Sequence, residues 1–285
     1  MEIYELQAFL TLAELLHFTQ AANQIHVSPS ALSRIIQRLE EDLGAKLFIR
    51  DNRRTLLTPQ GKTFVPRARS IVDQWNQAKI DLHPESQVIQ GEFRIFATVT
   101  ACYTLLPKFL DPFRQNHPSV DVKVITGDSA GGLDFILSGE VDVAILPMGS
   151  VPVPRVRFTP LGTTPLVCIA NKAYPLKPDW SRTQIIVPES GLIRSMIDQW
   201  FAKRFIFPKI HAQVRGNEGI IALARLGFGV GFVPELVVQN SPFSEGIQFL
   251  EPLEGMAEIP LGIGYLESKI GNAAIRAFLQ PIERI

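Results

Sequence analysis

The first 57 residues carry apolar positions at helical spacing, in short blocks separated by polar turns. Two blocks repeat apolar residues at i, i+3, i+4 and i+7, which predicts helices with one core-facing side. One stripe is Leu6, Phe9, Leu10, Ala13 and Leu16, and the other is Leu32, Ile35, Ile36, Leu39 and Leu43. The start of the chain is therefore predicted to form a small bundle of short helices.

Residues with strong positional preferences mark the helix ends. Thr19 is predicted to cap a second helix over 20–26, and Ser28 to cap the third, with Pro29 in its first turn. Gly44 ends the third helix as a left-handed residue. Beyond it, KLFIR and RTLLT alternate around DNRR and predict a hairpin. Together these elements predict a winged helix-turn-helix.

A longer helix is predicted from Thr58 and Pro59 to about Leu82. Its apolar residues step by four and three, the heptad pattern of a helix that packs on a partner helix. They are Phe64, Ala68, Ile71, Trp75, Ala78 and Leu82. We expect a dimerisation seam there, and a kink or a late start at Pro66, because an interior proline costs about 3 kcal/mol. The alternative is a solvent-exposed amphipathic helix.

From Gly91 onward, short apolar runs typical of strands alternate with helical patterns. The predicted strands are Glu92–Thr98, Val120–Thr126, Val141–Leu146, Leu166–Ala170, Gln184–Val187, His211–Val214, Val230–Val233 and Leu261–Leu266. The predicted helices are 103–116, 130–138, 193–204, 218–226 and 270–283. This alternation predicts an α/β region with mainly parallel sheets in two lobes, the last helix returning to the first lobe.

Charge and composition narrow the class of protein. The 28 Lys and Arg residues balance 28 Asp and Glu residues, so the whole chain has no basic bias. Between Ser28 and Arg69, however, nine basic side chains stand against four acidic ones, a local patch suited to nucleic acid. The acidic start, the lack of a roughly 18-residue apolar run and two distant cysteines favour a soluble cytoplasmic protein.

The third helix separates its polar residues along its length. Opposite its apolar stripe lie Ser30, Ser33, Arg34 and Gln37, and the acids Glu40, Glu41 and Asp42 gather at its end. The helix dipole disfavours acids at a helix C-terminus. Their presence there fits a helix that presents its N-terminal half to an anion and keeps its acidic end away from it. The alternative is an ordinary amphipathic helix with a solvated polar face.

Catalytic and metal chemistry find little support. The histidines at 17, 26, 83, 117 and 211 never take the HxxxH or HExxH spacing of a metal site. GFGVG at 227–231 follows a helix and enters a strand, the reverse of the order that cradles phosphate. Cys102 lacks an obvious redox partner. We expect no cofactor, no metal site and no catalytic residue.

A set of residues recurs at fixed spacing along the first sixty positions: Phe9, Phe18, Ala21, Ala22, Ser28, Pro29, Ser30, Leu32, Ser33, Arg34, Ile36, Leu39, Glu40, Leu43, Gly44, Leu47, Phe48, Arg50, Leu57, Thr58 and Gly61. At these positions the N-terminal block resembles the DNA-binding domain of LysR-type transcriptional regulators. LLPKFLDPFRQNHPSVDVKV, SGEVDVAIL and ARLGFGVGFVPE fall where that family places them. The chain thus resembles a LysR-type regulator over its whole length.

The resemblance implies an α/β protein with an N-terminal winged helix-turn-helix, a long linker helix and a two-lobed, periplasmic-binding-protein-like effector domain. The implied bounds are 1–58 for the DNA-binding domain, 59–90 for the linker helix and hinge, and 91–285 for the effector domain, with lobe I about 91–161 and 267–285 and lobe II about 162–266.

The third helix is implied to enter the major groove of double-stranded DNA, with its acids pointing away. The implied contacts from the helices are Thr19, Ser28, Pro29, Ser30, Ser33, Arg34, Gln37 and Arg38. Arg50, Arg53 and Arg54 on the hairpin are implied to follow phosphates or enter the minor groove. For Gln37 and Arg38 the alternative is a solvated or intramolecular contact.

A small carboxylate effector is implied to bind between the lobes. The implied lining residues are Thr98, Thr100, Ala101, Gly127, Asp128, Ser190, Gly191 and Arg194. Hydroxyls and N–H groups at a helix start can hold a carboxylate, and Arg194 can grip one bidentately. The alternatives are that Thr100 only caps a helix and that Arg194 is an ordinary surface arginine.

The implied function is that of a ligand-responsive regulator, not an enzyme, which acts as a homodimer or homotetramer in the cytoplasm, associated with the nucleoid and with RNA polymerase. RIIQRLEEDLG, LFIRDNR, IFATVTACY and HPSVDVKVITGD resemble one member that controls branched-chain amino-acid synthesis. That resemblance implies activation of the acetohydroxyacid isomeroreductase gene in response to acetolactate or acetohydroxybutyrate. The rivals are a LysR-type regulator of another pathway and a cytoplasmic solute-binding protein or enzyme.

Overall fold

The computed structural model describes residues 1–51, 54–82, 89–149, 151–242 and 244–282, with only the backbone described at residues 50, 51, 80 and 81. The chain divides into two compact units, residues 1–88 and 89–285. Each unit has a hydrophobic core of its own.

The first unit has the predicted order of helices and hairpin. Its elements are α1 (Ile3–Leu15), α2 (Phe18–Gln24), α3 (Pro29–Leu43), β1 (Phe48–Asp51), β2 (Arg54–Leu57) and α4 (Pro59–Leu82). Strands β1 and β2 pair antiparallel, with Phe48 opposite Leu57 and Arg50 opposite Thr55, and form the wing. The winged helix-turn-helix is therefore confirmed.

Aromatic rings join the elements of this unit around α1. The ring of Phe9 lies 5.5 Å from that of Phe48 in the wing and 5.2 Å from that of Phe64 in α4. From α3, the buried residues of this core are Leu32, Ile36 and Leu39. The predicted stripe of α1 needs one correction, because Leu12 is buried and Leu16, at the helix end, is exposed.

The helix ends follow the prediction in part. Ser28 caps α3 and Gly44 ends it with a φ of 63°, as predicted. The prediction that Thr19 caps α2 is wrong: His17 is the N-cap, its ring accepts a backbone N–H, and Thr19 lies inside the helix. Helix α4 runs from Pro59 through Pro66, so of the two expected effects of this proline, a kink or a late start, the late start is wrong.

The second unit alternates strands and helices, with three elements that the patterns missed. Its strands are β3 (Gly91–Ala97), β4 (Val120–Thr126), β5 (Val143–Pro147), β6 (Val156–Thr164), β7 (Leu166–Asn171), β8 (Gln184–Pro188), β9 (Lys209–Val214), β10 (Val230–Pro234), β11 (Ile247–Phe249) and β12 (Ile259–Leu266). Its helices are α5 (Val99–Thr104), α6 (Leu106–Asn116), α7 (Gly132–Leu137), α8 (Leu192–Ala202), α9 (Asn217–Arg225), α10 (Glu235–Asn240) and α11 (Ala273–Leu279). Strand β6 was missed because it contains proline and glycine, and β11 and α10 because they are short.

Each lobe is built on one mixed sheet. In lobe I the order is β4-β3-β5-β12-β6, and in lobe II it is β11-β7-β10-β8-β9. Strands β4, β3 and β5 are parallel, as are β10, β8 and β9, whereas the other pairings are antiparallel. The prediction of mainly parallel sheets is therefore wrong. Strand β12, which the implied bounds assigned to lobe II, pairs within the sheet of lobe I.

The last helix returns to lobe I, as predicted. In α11, the ring of Phe278 lies 5.2 Å from that of Phe93 in β3 and 6.0 Å from that of Phe109 in α6. Lobe II has a separate aromatic core, where the ring of Phe201 lies 5.5 Å from that of Trp180 and 5.8 Å from that of Phe232. Both lobes are therefore well packed on either side of the cleft between them.

Candidate functional site

The N-terminal end of α3 is exposed and rich in hydroxyl groups. Ser28, Pro29 and Ser30 are all exposed. The Oγ atom of Ser28 accepts the backbone N–H of Ala31 at 3.1 Å and lies 3.0 Å from the Oγ atom of Ser30. The cap thus orders a polar tip without burying it.

Behind this tip, the polar face of α3 presents Ser33, Arg34 and Gln37. Arg34 is exposed, and no described residue gives its guanidinium a polar partner. The Nε2 atom of Gln37 donates to Glu41 at 3.0 Å, one helical turn away, and Ser33 is half-buried. Among these residues Arg34 is the one whose donors are left for a ligand.

Arg38 makes an intramolecular contact. Its Nε atom donates to the carboxylate of Glu5, a residue of α1 that is only 1% exposed, and its guanidinium lies 3.9 Å from Glu2. An uncompensated buried carboxylate is costly, so Arg38 stabilises the packing of α1 against α3. The structure therefore supports the intramolecular alternative for Arg38.

Glu40 differs from the other two acids at the end of α3 because it is buried. Glu41 and Asp42 are exposed, but Glu40 is 6% exposed and accepts hydrogen bonds from Leu47, Phe48 and Lys46. Burial by itself raises the pKa of this carboxyl group, but these hydrogen bonds outweigh it and hold the pKa below its ordinary value. Because folding favours the carboxylate, this contribution to stability is lost as the pH falls through the folded-state pKa.

The other predicted DNA contacts lie on α2 and on the wing. Thr19 on α2 and Arg54 at the start of β2 are exposed. The side chain of Arg50 and the whole of Arg53 lie outside the described residues. Arg54 is thus the wing arginine that the structure places at the surface.

The heptad residues of α4 divide into two groups. Phe64, Ala68 and Ile71 pack into the core of the first unit. Trp75 is 50% exposed, Leu82 is 76% exposed, and Ala78 is exposed as well. The first half of the stripe is therefore used within the unit, and the second half is an exposed apolar surface.

Two adjoining cavities lie between the lobes of the second unit. One, of about 490 Å³ including its solvent-open mouth, is lined by the predicted residues Thr98, Gly127, Asp128 and Ser190, together with Ser129, Glu189, Arg215, Asn217 and Glu218. The other, of about 460 Å³ including its solvent-open mouth, is more apolar and is lined by Thr98, Thr100, Ala101 and Thr104 with Ile145, Leu146, Ile193 and Leu236. Six of the eight predicted effector residues therefore meet at one cleft.

The remaining two predicted residues are placed differently. Gly191, with a φ of 94°, precedes α8, and a Cβ there would lie 3.2 Å from Ala130 of lobe I. Arg194 lines neither cavity: it binds Asp198 at 2.9 Å, the carbonyl of Pro188 at 3.2 Å and Gln213 at 3.0 Å. The prediction that Arg194 grips an effector carboxylate is not supported, because its donors hold lobe II together.

Arg215 and Glu218 line the cleft and were missed by sequence reasoning. Arg215 pairs with Glu189, and this bond raises the pKa of the guanidinium and lowers that of the carboxyl group. The carboxylate of Glu218 accepts a hydrogen bond at 2.7 Å from Thr100, which links lobe II to lobe I. Arg215 lies between β9 and α9, and Glu218 lies in the first turn of α9. Thr98 and Ser190 were predicted from the same kind of position, where a strand ends and a helix begins.

The described part of the chain gives little support for a reactive cysteine, a metal site or a membrane-spanning helix. Both cysteines are free, and burial raises the pKa of Cys102 and of Cys168, which disfavours the reactive thiolate. No group of three or more His, Cys, Asp or Glu side chains in the described ranges could hold a metal ion. No helix there is long and apolar enough to cross a membrane.

Comparison with known proteins matches both units. The family description "Bacterial regulatory helix-turn-helix protein, lysR family" matches residues 3–62, and "LysR substrate binding domain" matches residues 86–284. The HTH-type transcriptional activator IlvY of Salmonella typhimurium is 38% identical, over 98% of this chain and 98% of its own length.

Solved structures share the architecture. A full-length OxyR variant from Pseudomonas aeruginosa has a TM-score of 0.76 at 21% identity, covering 99% of this chain and 95% of its own. Full-length CbnR in complex with its target DNA has a TM-score of 0.66 at 21% identity, covering 100% and 99%. With both units matched along nearly the whole length, the chain belongs to the LysR family of bacterial transcriptional regulators.

Proposed function

We propose that this protein is a transcriptional activator of a branched-chain amino-acid biosynthesis gene, that of acetohydroxyacid isomeroreductase. It binds double-stranded DNA through α3 and the wing and works with RNA polymerase at the nucleoid, in the cytoplasm. The observation that carries the proposal is the exposed tip of α3, where ordered hydroxyl groups precede Arg34, whose guanidinium is bound by no described residue. The 38% identity to the activator IlvY supports the choice of pathway.

The effector in this proposal is acetolactate or acetohydroxybutyrate, held in the cleft between the lobes. Either molecule has one carboxylate, one hydroxyl and one ketone, together with a short apolar part. The polar cavity offers Arg215, Thr98 and Ser190, and the neighbouring cavity offers aliphatic walls. A ligand that favours one arrangement of the lobes shifts the population of the DNA-binding form.

The assembly in this proposal is a homodimer that pairs further into a homotetramer. The exposed half of the α4 stripe, Trp75, Ala78 and Leu82, is the proposed dimerisation seam. Two copies then present two α3 helices to a dyad-related DNA site.

The test is a footprint on the DNA upstream of the protein's own gene, with and without candidate keto acids. Protection of a dyad-related site that changes with acetolactate is the expected result. The main rival is a LysR-type regulator of another pathway with a different small carboxylate effector; calorimetry with acetolactate against a panel of aromatic acids separates the two. A purified chain that binds no duplex at low ionic strength would instead favour a solute-binding protein or an enzyme.

Arg215→Gln is expected to weaken acetolactate binding roughly ten-fold, because a charge-assisted hydrogen bond to the ligand carboxylate is lost at a partly solvated site. Isothermal titration calorimetry on the full-length protein measures this. The control is Arg182→Gln, an arginine whose side chain is 89% exposed and which lines neither cavity. Equal affinities for the two variants would remove Arg215 from the effector site.

Thr100→Val is expected to weaken effector binding about five-fold without unfolding either lobe. The change keeps the shape of the side chain but removes the hydrogen bond to Glu218 that joins the lobes, worth about 1 kcal/mol at a partly exposed acceptor. Calorimetry with acetolactate measures the affinity, and thermal unfolding checks the fold. Thr159→Val, on β6 and away from both cavities, is the control and should bind like the wild type.

A further inference from the structure

Glu40 is a buried carboxylate in the last turn of α3, the helix that presents Arg34. It is 6% exposed, whereas the neighbouring acids Glu41 and Asp42 are exposed. Burying a carboxylate is unfavourable unless hydrogen bonds and an opposite charge compensate for it. The position of Glu40 therefore depends on the groups that surround its two oxygens.

Those groups all belong to the segment that enters the wing. The Oε1 atom of Glu40 accepts the backbone N–H of Leu47 at 2.8 Å and that of Phe48 at 3.2 Å. The Oε2 atom accepts from the ammonium of Lys46 at 2.7 Å. Since β1 begins at Phe48, the carboxylate of α3 holds the first residue of the wing directly.

The same short segment is bound to the start of α4. The backbone N–H of Thr58 donates to the carbonyl of Leu47 at 2.9 Å, and its hydroxyl donates to the carbonyl of Lys46 at 2.7 Å. That hydroxyl also accepts the N–H of Gly61 at 2.8 Å and so caps α4. Residues 46–48 thus form a junction of α3, the wing and α4, and Glu40 contributes the α3 side of it.

From this junction we infer that Glu40 is a positioning residue for DNA binding: it fixes the wing relative to α3, so that Arg54 and Arg34 engage one duplex together. The inference rests on the proposed roles of α3 and the wing in DNA binding. Glu40 itself touches no DNA, because it is buried beneath the junction.

The test is a double-mutant cycle on the full-length protein, with the DNA upstream of its own gene as the probe. Glu40→Gln keeps the size of the side chain but replaces one acceptor by an NH₂ group that faces the ammonium of Lys46. We expect a roughly ten-fold loss of affinity and a smaller slope of log affinity against log salt, because wing–phosphate contacts are lost. Glu41→Gln is the matched control, since its amide oxygen can still accept from Gln37.

The cycle separates positioning from a general loss of stability. The double variant Glu40→Gln/Arg54→Ala should bind DNA only slightly more weakly than Arg54→Ala alone. In contrast, the loss of affinity caused by Glu40→Gln should add to the loss caused by Arg34→Ala. The inference would be overturned if the effect of Glu40→Gln on affinity added to the effects of both Arg54→Ala and Arg34→Ala. It would also be overturned if Glu40→Gln bound DNA as tightly as Glu41→Gln. Glu40→Asp, which keeps the charge, serves in the same cycle if the glutamine variant does not fold. A wild-type chain that binds no duplex would remove the proposed function itself, and the inference with it.

Discussion

Arg34→Ala is expected to abolish specific retention of operator DNA while leaving the fold intact. Arg34 is exposed on the polar face of α3, no described residue binds its guanidinium, and its neighbour Ile35 keeps the apolar side of the helix in place. A guanidinium that binds a base edge bidentately is worth about 1–3 kcal/mol of discrimination, which is roughly a 5- to 150-fold change in affinity.

The measurement is a footprint and a binding titration with the operator fragment and with a scrambled duplex of the same length. A base-reading role lowers affinity for the operator much more than for the scrambled duplex. Arg67→Ala, an exposed arginine on α4, is the control and should leave the difference between the two duplexes in place. An unchanged footprint for Arg34→Ala would show that this side chain does not read the sequence.

Gly61→Ala is expected to lower the free energy of unfolding of the first unit by about 3 kcal/mol, the upper end for overpacking a core. An alanine Cβ would lie 2.1 Å from the carbonyl oxygen of Leu47 and 2.9 Å from Leu57. The carbonyl is backbone, and Glu40 and Thr58 hold its segment, so it cannot move aside easily. This outweighs the roughly 1 kcal/mol that alanine normally gains over glycine in a helix.

Chemical denaturation followed by circular dichroism measures this change, with DNA binding as a second readout of the first unit. Gly271→Ala is the control, because nothing lies within 4 Å of a Cβ there and its φ is not positive. The control should stay within about 0.5 kcal/mol of the wild type. If Gly61→Ala were as stable as Gly271→Ala, α4 would not pack as closely on the segment before the wing as the structure indicates.

Local signals explain which parts of the site could be predicted. Ser28, Pro29 and Gly44 set the ends of α3 because capping depends on neighbouring residues. Thr98 and Ser190 were found because residues at the carboxyl end of a strand and the start of a helix meet at a cleft. The same rule applied after β9 would have found Arg215 and Glu218.

The sequence by itself determined the helix and wing order of the first unit, the two-lobed second unit and most of the cleft, because amphipathic spacing and caps act over a few residues. Only the tertiary structure decided which polar and charged side chains are paired with distant residues. Arg38 is occupied by Glu5, 33 residues away, and Thr100 meets Glu218, 118 residues away. Such pairings depend on how distant elements pack, and that packing also moved β12 into lobe I and buried Glu40 beneath the wing.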